Sequence, residues 1–235
     1  MADSVAVVTG ATGGMGIEIV RDLARDHVVY ALGRNEDVLA EVAELDNVIA
    51  VHTDIVADVM GGNGVEALAG LDRVDVLVHA AAIARNLSVE TATVEDWNAH
   101  LNLNVVVPAE LSRCLLKPLR SAEGQIVFIN SGAGNGAHPG NTVYAVSKHA
   151  LRGLADALRK EEANHGVRVS TVSPGPTDTA MLRGLMDAQG SDYQPELYID
   201  PVEVASAIRF VVDAGKSTQI TNVDVRPRIE LGDRR

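Results

Sequence analysis

The chain has 235 residues, enough for one α/β domain that buries its core without a disulfide or a metal ion. Hydrophobic residues make up 46% of it but aromatic residues only 3%, so Ala, Val, Leu and Ile must provide most of the packing. The 32 acidic and 20 basic residues give a net charge of −12, which repels phosphate backbones and anionic lipids. We therefore expect neither a nucleic acid nor a membrane as partner.

The cysteine content and the chain start indicate the compartment. The single cysteine, Cys114, excludes an intrachain disulfide, and its leucine neighbours predict a buried thiol. No apolar run approaches the roughly 20 residues that a transmembrane helix needs. A predicted strand begins within a few residues of Met1, without a basic-then-apolar signal pattern. We expect a cytoplasmic protein, and the scattered histidines predict no metal site.

Short runs rich in Val and Ile alternate with longer helical patterns along the whole chain. The predicted strands are Val5–Thr9, Val28–Leu32, Val48–His52, Val74–His79, Gln125–Asn130, Val167–Ser173 and Ile220–Val225. Several of them are apolar without alternation, which is typical of strands covered by helices on both faces. The order predicts right-handed βαβ units in one α/β domain over residues 1–235, a Rossmann-type doubly wound, mostly parallel sheet of seven strands.

Helix signals and one long interruption complete the pattern. Asn35 is predicted to cap the helix after the second strand, and the longest helix covers Thr142–Asn164 and ends at Gly166. The stretch between Pro174 and Pro201 breaks the rhythm at a length that is usually functional or holds short helices of its own. We assign a substrate lid to about residues 176–200. Its apolar residues, with His138 expected opposite them, are Met181, Leu182, Leu185, Met186, Tyr193 and Tyr198.

A glycine-rich segment joins the first strand to the first helix. It reads Thr-Gly-Ala-Thr-Gly-Gly-Met-Gly over Thr9–Gly16. Glycines let backbone N–H groups approach a pyrophosphate, and the helix N-terminus adds positive potential without a cationic side chain. The alternative is a plain strand-to-helix turn, but the place directly after an N-terminal buried strand favours a nucleotide site. No lysine follows the glycines, which disfavours a triphosphate loop.

With this Thr-Gly-x-x-x-Gly-x-Gly spacing the chain resembles the short-chain dehydrogenase/reductase family, in its smaller single-domain form. The resemblance covers nearly the whole chain, because further motifs follow in the right order. It implies that a pyridine nucleotide is held by residues at the ends of five strands and by Tyr144 and Lys148. The other implied cofactor-binding residues are Gly10, Thr12, Gly14, Met15, Gly16, Arg34, Asp54, Ile55, Ala80, Ala81, Pro174, Gly175, Thr177 and Thr179.

Two of these implied sites have simpler interpretations from the residues alone. Asp54 is also a plain helix N-cap, and the segment that begins at Pro174 is also a turn. After the fourth strand, the family commonly has Asn-Asn-Ala-Gly where this chain has His-Ala-Ala-Ala from His79. That departure concerns sheet stability and cofactor positioning rather than the type of reaction. We predict a structural role for His79.

The end of the second strand bears on the choice between NADP and NAD. A free ribose 2′-hydroxyl calls for a carboxylate there, whereas a 2′-phosphate calls for a guanidinium. Gly33 lies where an NAD-type member of the family would have an Asp, and Arg34 follows it. A surface arginine directly before a helix N-terminus is unfavourable, and a bound phosphate would compensate for it. We predict NADP as the preferred cofactor, with NAD as the alternative.

The predicted catalytic residues begin on the long helix. Tyr144 and Lys148 are four positions apart, so both side chains lie on one helical face. A free phenol titrates near ~10, and a nearby ammonium is expected to lower that pKa and make the phenol an acid/base. Ser131 ends the fifth strand, at the sheet edge where ligands of such folds bind. The family resemblance implies that this serine binds the substrate oxygen and that the lysine reaches the nicotinamide ribose.

A fourth catalytic position is implied on the preceding helix. Asn104 is poorly suited to a helix interior because its amide competes with the backbone. The resemblance implies that it kinks the helix and holds a water molecule that relays protons to the lysine. Asn102 is the rival, and the Val-Val-x-Pro pattern that follows favours Asn104.

The sequence therefore predicts an NADP(H)-dependent oxidoreductase that transfers hydride between the nicotinamide and a carbonyl or secondary alcohol. A hydrolase is disfavoured because Ser131 lacks a G-x-S-x-G setting, and a dehydratase or epimerase usually needs a larger C-terminal region. A non-catalytic NADP-binding regulator of the same fold is the remaining alternative. The resemblance also implies a homodimer or homotetramer paired through the apolar face of the long helix.

Overall fold

A computed structural model describes residues 4–62 and 64–230. Its seven strands form one parallel sheet in the order β3-β2-β1-β4-β5-β6-β7. The strands are β1 (Ser4–Thr9), β2 (His27–Gly33), β3 (Val48–His52), β4 (Val76–His79), β5 (Gln125–Ile129), β6 (Arg168–Pro174) and β7 (Asn222–Val225). The predicted fold class is confirmed. Strand β4 begins two residues later than predicted, because the N–H of Val74 donates to the carbonyl of Pro118 instead of to a neighbouring strand.

Helices cover both faces of this sheet. They are α1 (Gly14–Leu23), α2 (Glu36–Ala43), α3 (Ile55–Met60), α4 (Val94–Leu101), α5 (Val107–Ala122), α6 (Thr142–Glu161), α7 (Ala180–Ala188) and α8 (Pro201–Val212). A π-helical turn over Asn102–Val106 joins α4 to α5 without a break in the helix. Short 3₁₀ turns follow β5 at Gly132–Gly134 and α7 at Pro195–Leu197. The segment predicted as a lid therefore has its own helix and turn.

The strand order determines where a ligand can bind. Strand β1 lies between β2 and β4, and the chain moves from β3 to the other side of β1 when it enters β4. Thr9, at the end of β1, pairs with Leu32 on one side and with His79 on the other. Because the strands are parallel, their carboxyl ends meet at one edge, and ligands of such sheets bind where the order reverses.

Successive residues of each strand pack into two separate cores. Val8 points to the layer that contains Ile19 of α1 and Ile208 of α8. Val7 points to the opposite layer, which contains Leu111 of α5. This division follows from the alternation of side chains along a strand, and aliphatic residues fill both layers as the composition predicts.

Local signals predicted the helix ends well. The Asn35 side chain accepts a hydrogen bond from the N–H of Val38 at 3.2 Å and so caps α2 as predicted. Helix α6 passes into a 3₁₀ turn that ends at Gly166, whose φ of +75° suits glycine.

The prediction of a buried thiol was wrong, because Cys114 is exposed. Consecutive helical positions face different directions, so its neighbour Leu115 is buried while Cys114 points outwards.

Two kinds of structural feature are absent from the described residues. Within 4–62 and 64–230, no helix combines the length and the apolar character needed to cross a membrane. In the same ranges no three His, Cys, Asp or Glu side chains form a group that could hold a metal ion.

The apolar face of α6 is only partly used inside the domain. Val143 and Leu151 are buried, whereas Val146 is 43% exposed. Ala150 and Ala157 are also exposed. One part of the face therefore covers the sheet, and a second strip of small apolar residues remains on the surface.

Candidate active site

A cavity of about 460 Å³ opens at the carboxyl edge of the sheet. Predicted residues in its wall are Met15, Ser131, Tyr144, Pro174, Gly175, Thr177 and Thr179. Met181, Leu182 and Leu185 of the predicted lid line it too, together with His138. A smaller cavity of about 290 Å³, between the Pro195–Leu197 turn and residues 226–229, is lined by Tyr198 of the predicted lid but by none of the predicted catalytic or cofactor-binding residues. The larger cavity is therefore the candidate active site.

The glycine loop leaves no room for side chains at two of its positions. Gly10 has a φ of +67°, and a Cβ there would lie 2.7 Å from the backbone nitrogen of Ala81. A Cβ on Gly16 would lie 2.0 Å from the carbonyl oxygen of Gly10. Only glycine therefore permits this close crossing of β1, α1 and the chain after β4.

The hydroxyl of Thr9 holds the chain after β4 in place. It accepts hydrogen bonds from the N–H groups of Ala80 at 3.2 Å and Ala81 at 3.1 Å. Sequence reasoning assigned no role to Thr9, although it opens the glycine motif. Small residues suffice at these alanines because the contact is made by their backbone.

The first turn of α1 fits an anion. Gly13 precedes the helix and makes no side-chain capping bond, so the first N–H groups of α1 are not covered by a side-chain cap. A Cβ on Gly14 would lie 3.0 Å from the Cγ2 of Thr179, so the start of α7 packs directly against this turn. Glycine backbone and a helix N-terminus are what a diphosphate needs, and the residues present fit a dinucleotide cofactor.

Thr179 connects this turn to the segment after β6. Its hydroxyl oxygen caps α7 by accepting from the N–H of Leu182 at 3.3 Å, and its hydroxyl donates to the carbonyl of Thr177. The Thr177 hydroxyl donates in turn to the carbonyl of Gly175 at 3.0 Å. These bonds fix the Pro-Gly segment across the cavity from the glycine loop.

The residues predicted for the adenosine part lie at the ends of β2 and β3. Arg34 is exposed. A Cβ on Gly33 would lie 2.5 Å from the Cγ2 of Thr12, so any side chain at 33 would displace Thr12. Asp54 caps α3 by accepting from two backbone N–H groups, at 3.1 and 3.3 Å, and Ile55 is buried behind it. The N-cap interpretation of Asp54 thus describes what its side chain does within the protein.

Three predicted catalytic side chains meet where β5 ends beside α6. The ammonium of Lys148 donates to the carbonyl of Ile129, the last residue of β5, at 2.9 Å. It lies over the Tyr144 ring, 5.7 Å from the centroid. Ser131 follows β5, and its hydroxyl favours the phenolate and so acts to lower the pKa of Tyr144. The site therefore combines a phenol, a hydroxyl and a buried amine.

The pKa of Tyr144 moves against the prediction. Burial raises it above the ordinary value, and the effect of the Ser131 hydroxyl offsets only part of that rise. The expected lowering by Lys148 was wrong for this structure, because the ammonium donates to the Ile129 carbonyl and lies over the ring. Burial also lowers the pKa of Lys148, to about 8. The phenol of Tyr144 is therefore protonated at neutral pH.

Asn104 lies in the π-helical turn and is buried. Its side-chain oxygen accepts from the N–H of Ile83 at 2.9 Å, and its amide donates to the carbonyl of Ile83 and to the hydroxyl of Ser147, both at 3.0 Å. The Ser147 hydroxyl donates to the carbonyl of Tyr144 at 2.7 Å. Of the two asparagines weighed from the sequence, Asn104 is thus the one tied to α6. Ser147 was missed by sequence reasoning.

His79 agrees with its predicted structural role. It is buried, its Nε2 lies 2.9 Å from the hydroxyl of Ser112, and its ring stacks on Phe128. Burial lowers its pKa to about 3, so the imidazole is neutral and does not serve as an acid/base near pH 7.

Three further residues of the cavity wall were missed by sequence reasoning. Asn130 precedes Ser131, is 4% exposed, and has no hydrogen-bond partner for its side-chain amide among the described residues. Arg226 and Glu230 come from the chain after β7. The signal that could have found Arg226 was its position, directly after a strand whose carboxyl end lies at the ligand-binding edge.

Comparison with known proteins identifies the family. The sequence model described as short chain dehydrogenase matches residues 4–190. The chain belongs to the short-chain dehydrogenase family. An uncharacterised oxidoreductase of Staphylococcus saprophyticus is 31% identical over 97% of this chain and 98% of its own length.

Solved structures agree with this assignment. A candidate short-chain dehydrogenase/reductase from Corynebacterium glutamicum is 55% identical, covers 96% of this chain and 100% of its own, and superposes with a TM-score of 0.76. The closed form of a serine dehydrogenase complexed with NADP⁺ is 28% identical, covers 94% of both chains and has a TM-score of 0.84. The short-chain dehydrogenase described here is therefore a nucleotide-binding oxidoreductase that acts on CH–OH or C=O groups.

The buried Lys148 gives the folded protein a testable dependence of stability on pH. Its pKa is about 8 in the folded state, against an ordinary value of 10.5. Between these two values the unfolded chain keeps a proton that the folded state has lost, so the free energy of unfolding rises with pH. We expect this contribution to be absent in Lys148→Met. The free energy of unfolding of both proteins is measured by urea denaturation without nucleotide, at about pH 7 and about pH 9.5. The wild-type value minus the Lys148→Met value should be larger at the higher pH.

The matched control is Lys117→Met, which removes an exposed lysine of α5. Its difference from the wild type should be the same at both pH values. A difference between wild type and Lys148→Met that stays constant over this range would contradict a lowered pKa.

Proposed function

We propose that this enzyme uses NADP(H) to interconvert a small carbonyl compound and the corresponding alcohol, with Tyr144 as the acid/base. The observation that supports the proposal is that Tyr144 and Ser131 line one cavity, with Lys148 over the Tyr144 ring, next to a glycine loop that fits a diphosphate. The cavity volume of about 460 Å³ lies in the usual range for small-molecule sites.

The bound nicotinamide supplies or accepts the hydride. In the reducing direction Tyr144 gives its proton to the substrate oxygen as negative charge develops there. The raised pKa of Tyr144 keeps that proton available at neutral pH. The hydroxyl of Ser131 donates a hydrogen bond to the same oxygen and so orients the substrate. In the oxidising direction the phenolate of Tyr144 takes the proton of the alcohol.

Lys148 and Asn104 act on the phenol and its surroundings. Lys148 donates to the carbonyl of Ile129 and lies over the Tyr144 ring, and we propose that it holds the phenol beside the end of β5. Asn104 binds both Ile83 and Ser147, and Ser147 binds the backbone of Tyr144. We propose that Asn104 positions the first turn of α6 and, with it, the phenol.

The acid is tested by Tyr144→Phe. We expect kcat/KM for NADPH-dependent reduction in a panel of aldehydes and ketones to fall at least about a hundredfold, since only the hydroxyl that supplies the proton is lost. Binding of NADPH, followed by nucleotide fluorescence, should remain. Tyr30→Phe is the matched control, because Tyr30 is a partly buried tyrosine of β2 outside the cavity.

Two results would contradict this mechanism. Full turnover by Tyr144→Phe would show that another group supplies the proton. Tight NADPH binding by a wild type that reduces no member of the panel and oxidises no alcohol would favour the non-catalytic NADP-binding regulator.

We propose further that NADP is preferred over NAD. Arg34 is exposed beside the glycine loop at the end of β2, where a 2′-phosphate would lie. Gly33 supplies no carboxylate to repel that phosphate, and Thr12 packs against it. The structure of a similar serine dehydrogenase contains NADP⁺.

The preference is tested with Arg34→Gln. A charge-assisted hydrogen bond contributes about 1.5–3 kcal/mol, so the ratio of kcat/KM for NADPH to that for NADH should fall by about ten- to a hundredfold. The value for NADH itself should change little. Arg113→Gln, an exposed arginine of α5, is the control and should keep the wild-type ratio. An unchanged ratio in Arg34→Gln would remove this residue from the cofactor site.

We propose that the protein is a homodimer or homotetramer paired through α6. The strip formed by Val146, Ala150 and Ala157 is exposed, and a second copy of it would cover these apolar side chains. Sedimentation velocity at micromolar concentration should show a species of at least twice the chain mass of 24.8 kDa. Ala150→Arg should shift it towards the monomer, whereas Ala40→Arg on the exposed face of α2 should not. A monomeric wild type would overturn the proposal.

A further inference from the structure

A positively charged side chain, that of Arg226, lies at the candidate active site and comes from the chain after the last strand of the sheet. Arg226 follows β7 directly and lines the same cavity as Ser131 and Tyr144. Its side chain is 42% exposed, so it lies at the rim rather than in the core. The reaction proposed above gives this arginine no role.

The guanidinium of Arg226 lies over two glycines of the cavity wall. A Cβ on Gly132, the residue after Ser131, would be 2.6 Å from the Nη1 of Arg226, with no other atoms near it apart from the same guanidinium. A Cβ on Gly175, in the Pro-Gly segment, would be 3.3 Å from the same nitrogen. The absence of side chains at both positions therefore lets the guanidinium lie against the backbone beside the predicted catalytic serine.

Glu230 binds one edge of the Arg226 guanidinium and so determines which nitrogen can still donate to a ligand. Its carboxylate accepts from the Nε of Arg226 at 2.7 Å and from Nη2 at 2.6 Å. Both bonds use one edge of the planar fork, and such bidentate pairs hold an arginine in a defined orientation. The third nitrogen, Nη1, makes no hydrogen bond to residues 4–62 or 64–230. It is the nitrogen next to Gly132 and Gly175.

The rest of the cavity wall is mostly uncharged. Besides Arg226 and Glu230, its titratable side chains are Tyr144 and His138. Met181, with the leucines of α7, forms an apolar wall. The cavity therefore offers one pair of cationic N–H donors near the reacting oxygen and an aliphatic surface elsewhere, which suits a short substrate with one anionic end.

We propose that Nη1 of Arg226 binds the carboxylate of the substrate, which makes the substrate a short oxo acid or hydroxy acid. This inference rests on the proposed function, since it takes Ser131 and Tyr144 to bind the reacting oxygen. Consecutive Cα atoms are about 3.8 Å apart, and Nη1 lies next to Gly132, the residue after Ser131, so a carbonyl at Ser131 and a carboxylate beside Nη1 fit a molecule with one to three carbons between them. Arginine suits this task because it remains charged and presents several donors.

The test compares two substrates that share the reacting carbonyl and differ at the other end, the anion 3-oxobutanoate and its uncharged methyl ester. KM and kcat are measured for both with NADPH, in the wild type and in Arg226→Gln. We expect the variant to raise KM for the acid by at least about tenfold and to leave KM for the ester within about twofold, since only the acid loses a charge-assisted bond. Arg226→Lys should restore part of the affinity for the acid.

Two further variants separate binding from a general effect on the fold. Gly132→Ala keeps the charge but places a methyl group where Nη1 lies, so it should also raise KM for the acid and spare the ester. Arg228→Gln removes an exposed arginine two residues away, outside this cavity, and should leave the ratio of the two KM values unchanged.

The outcomes keep this inference distinct from the proposed function. If Arg226→Gln changes KM equally for the acid and the ester, or changes neither, the inference is overturned. Reduction of the ester that depends on Tyr144 would in that case still support the oxidoreductase mechanism. Calorimetric titration with 3-hydroxybutanoate, compared with its methyl ester, covers the case in which neither probe is turned over. Binding of the acid that Arg226→Gln abolishes supports the inference, and no preference of the wild type for the acid overturns it.

Discussion

The hydrogen bond from the buried ammonium of Lys148 to the carbonyl of Ile129 is the contact on which the candidate active site depends. Ile129 is the last residue of β5, and Ser131 lies two positions further along the chain. Tyr144 lies one helical turn before Lys148. The single bond therefore fixes the end of a strand against the start of α6, and it determines how the phenol and the hydroxyl face each other. A hydrogen bond to a charged group contributes about 1.5–3 kcal/mol, whereas burial of an ammonium costs several kcal/mol, so this lysine is better explained by function than by stability.

Asn104, in the π-helical turn between α4 and α5, supports the same region through hydrogen bonds to backbone groups and to Ser147. In the π-helical turn, Asn104 binds the N–H and the carbonyl of Ile83 and also reaches Ser147. A π-turn is unfavourable on its own and is frequent at functional sites. Here it brings an amide from the α4–α5 helix to the backbone of Tyr144 through one serine. The acid of the proposed reaction is thus held from two sides, by β5 through Lys148 and by the π-turn through Ser147.

Sequence reasoning succeeded where one short segment contains its own signal. The strands, the Asn35 cap and the glycine loop are local patterns, and the structure contains each of them. It failed where the outcome depends on the surroundings of a side chain. The direction of the Tyr144 pKa shift depends on burial and on which acceptor Lys148 donates to. Neither can be inferred from the four-residue spacing of Tyr144 and Lys148. Cys114 was misjudged because its neighbour Leu115 faces the core while Cys114 itself points outwards. Arg226 was missed because its significance comes from Gly132 and Gly175, which are distant in sequence.

The overall charge and the local charge of the cavity act in opposite directions on an anionic substrate. A net charge of −12 repels a carboxylate at long range, but that repulsion is screened beyond about 8 Å at physiological ionic strength. The attraction by Arg226 acts only at contact distance and is partly balanced by Glu230. Salt should therefore speed the approach of an anion while it weakens the contact only modestly. Selectivity for a carboxylate would then reside in the bound complex, and hence in KM and dissociation, rather than in electrostatic steering of the encounter.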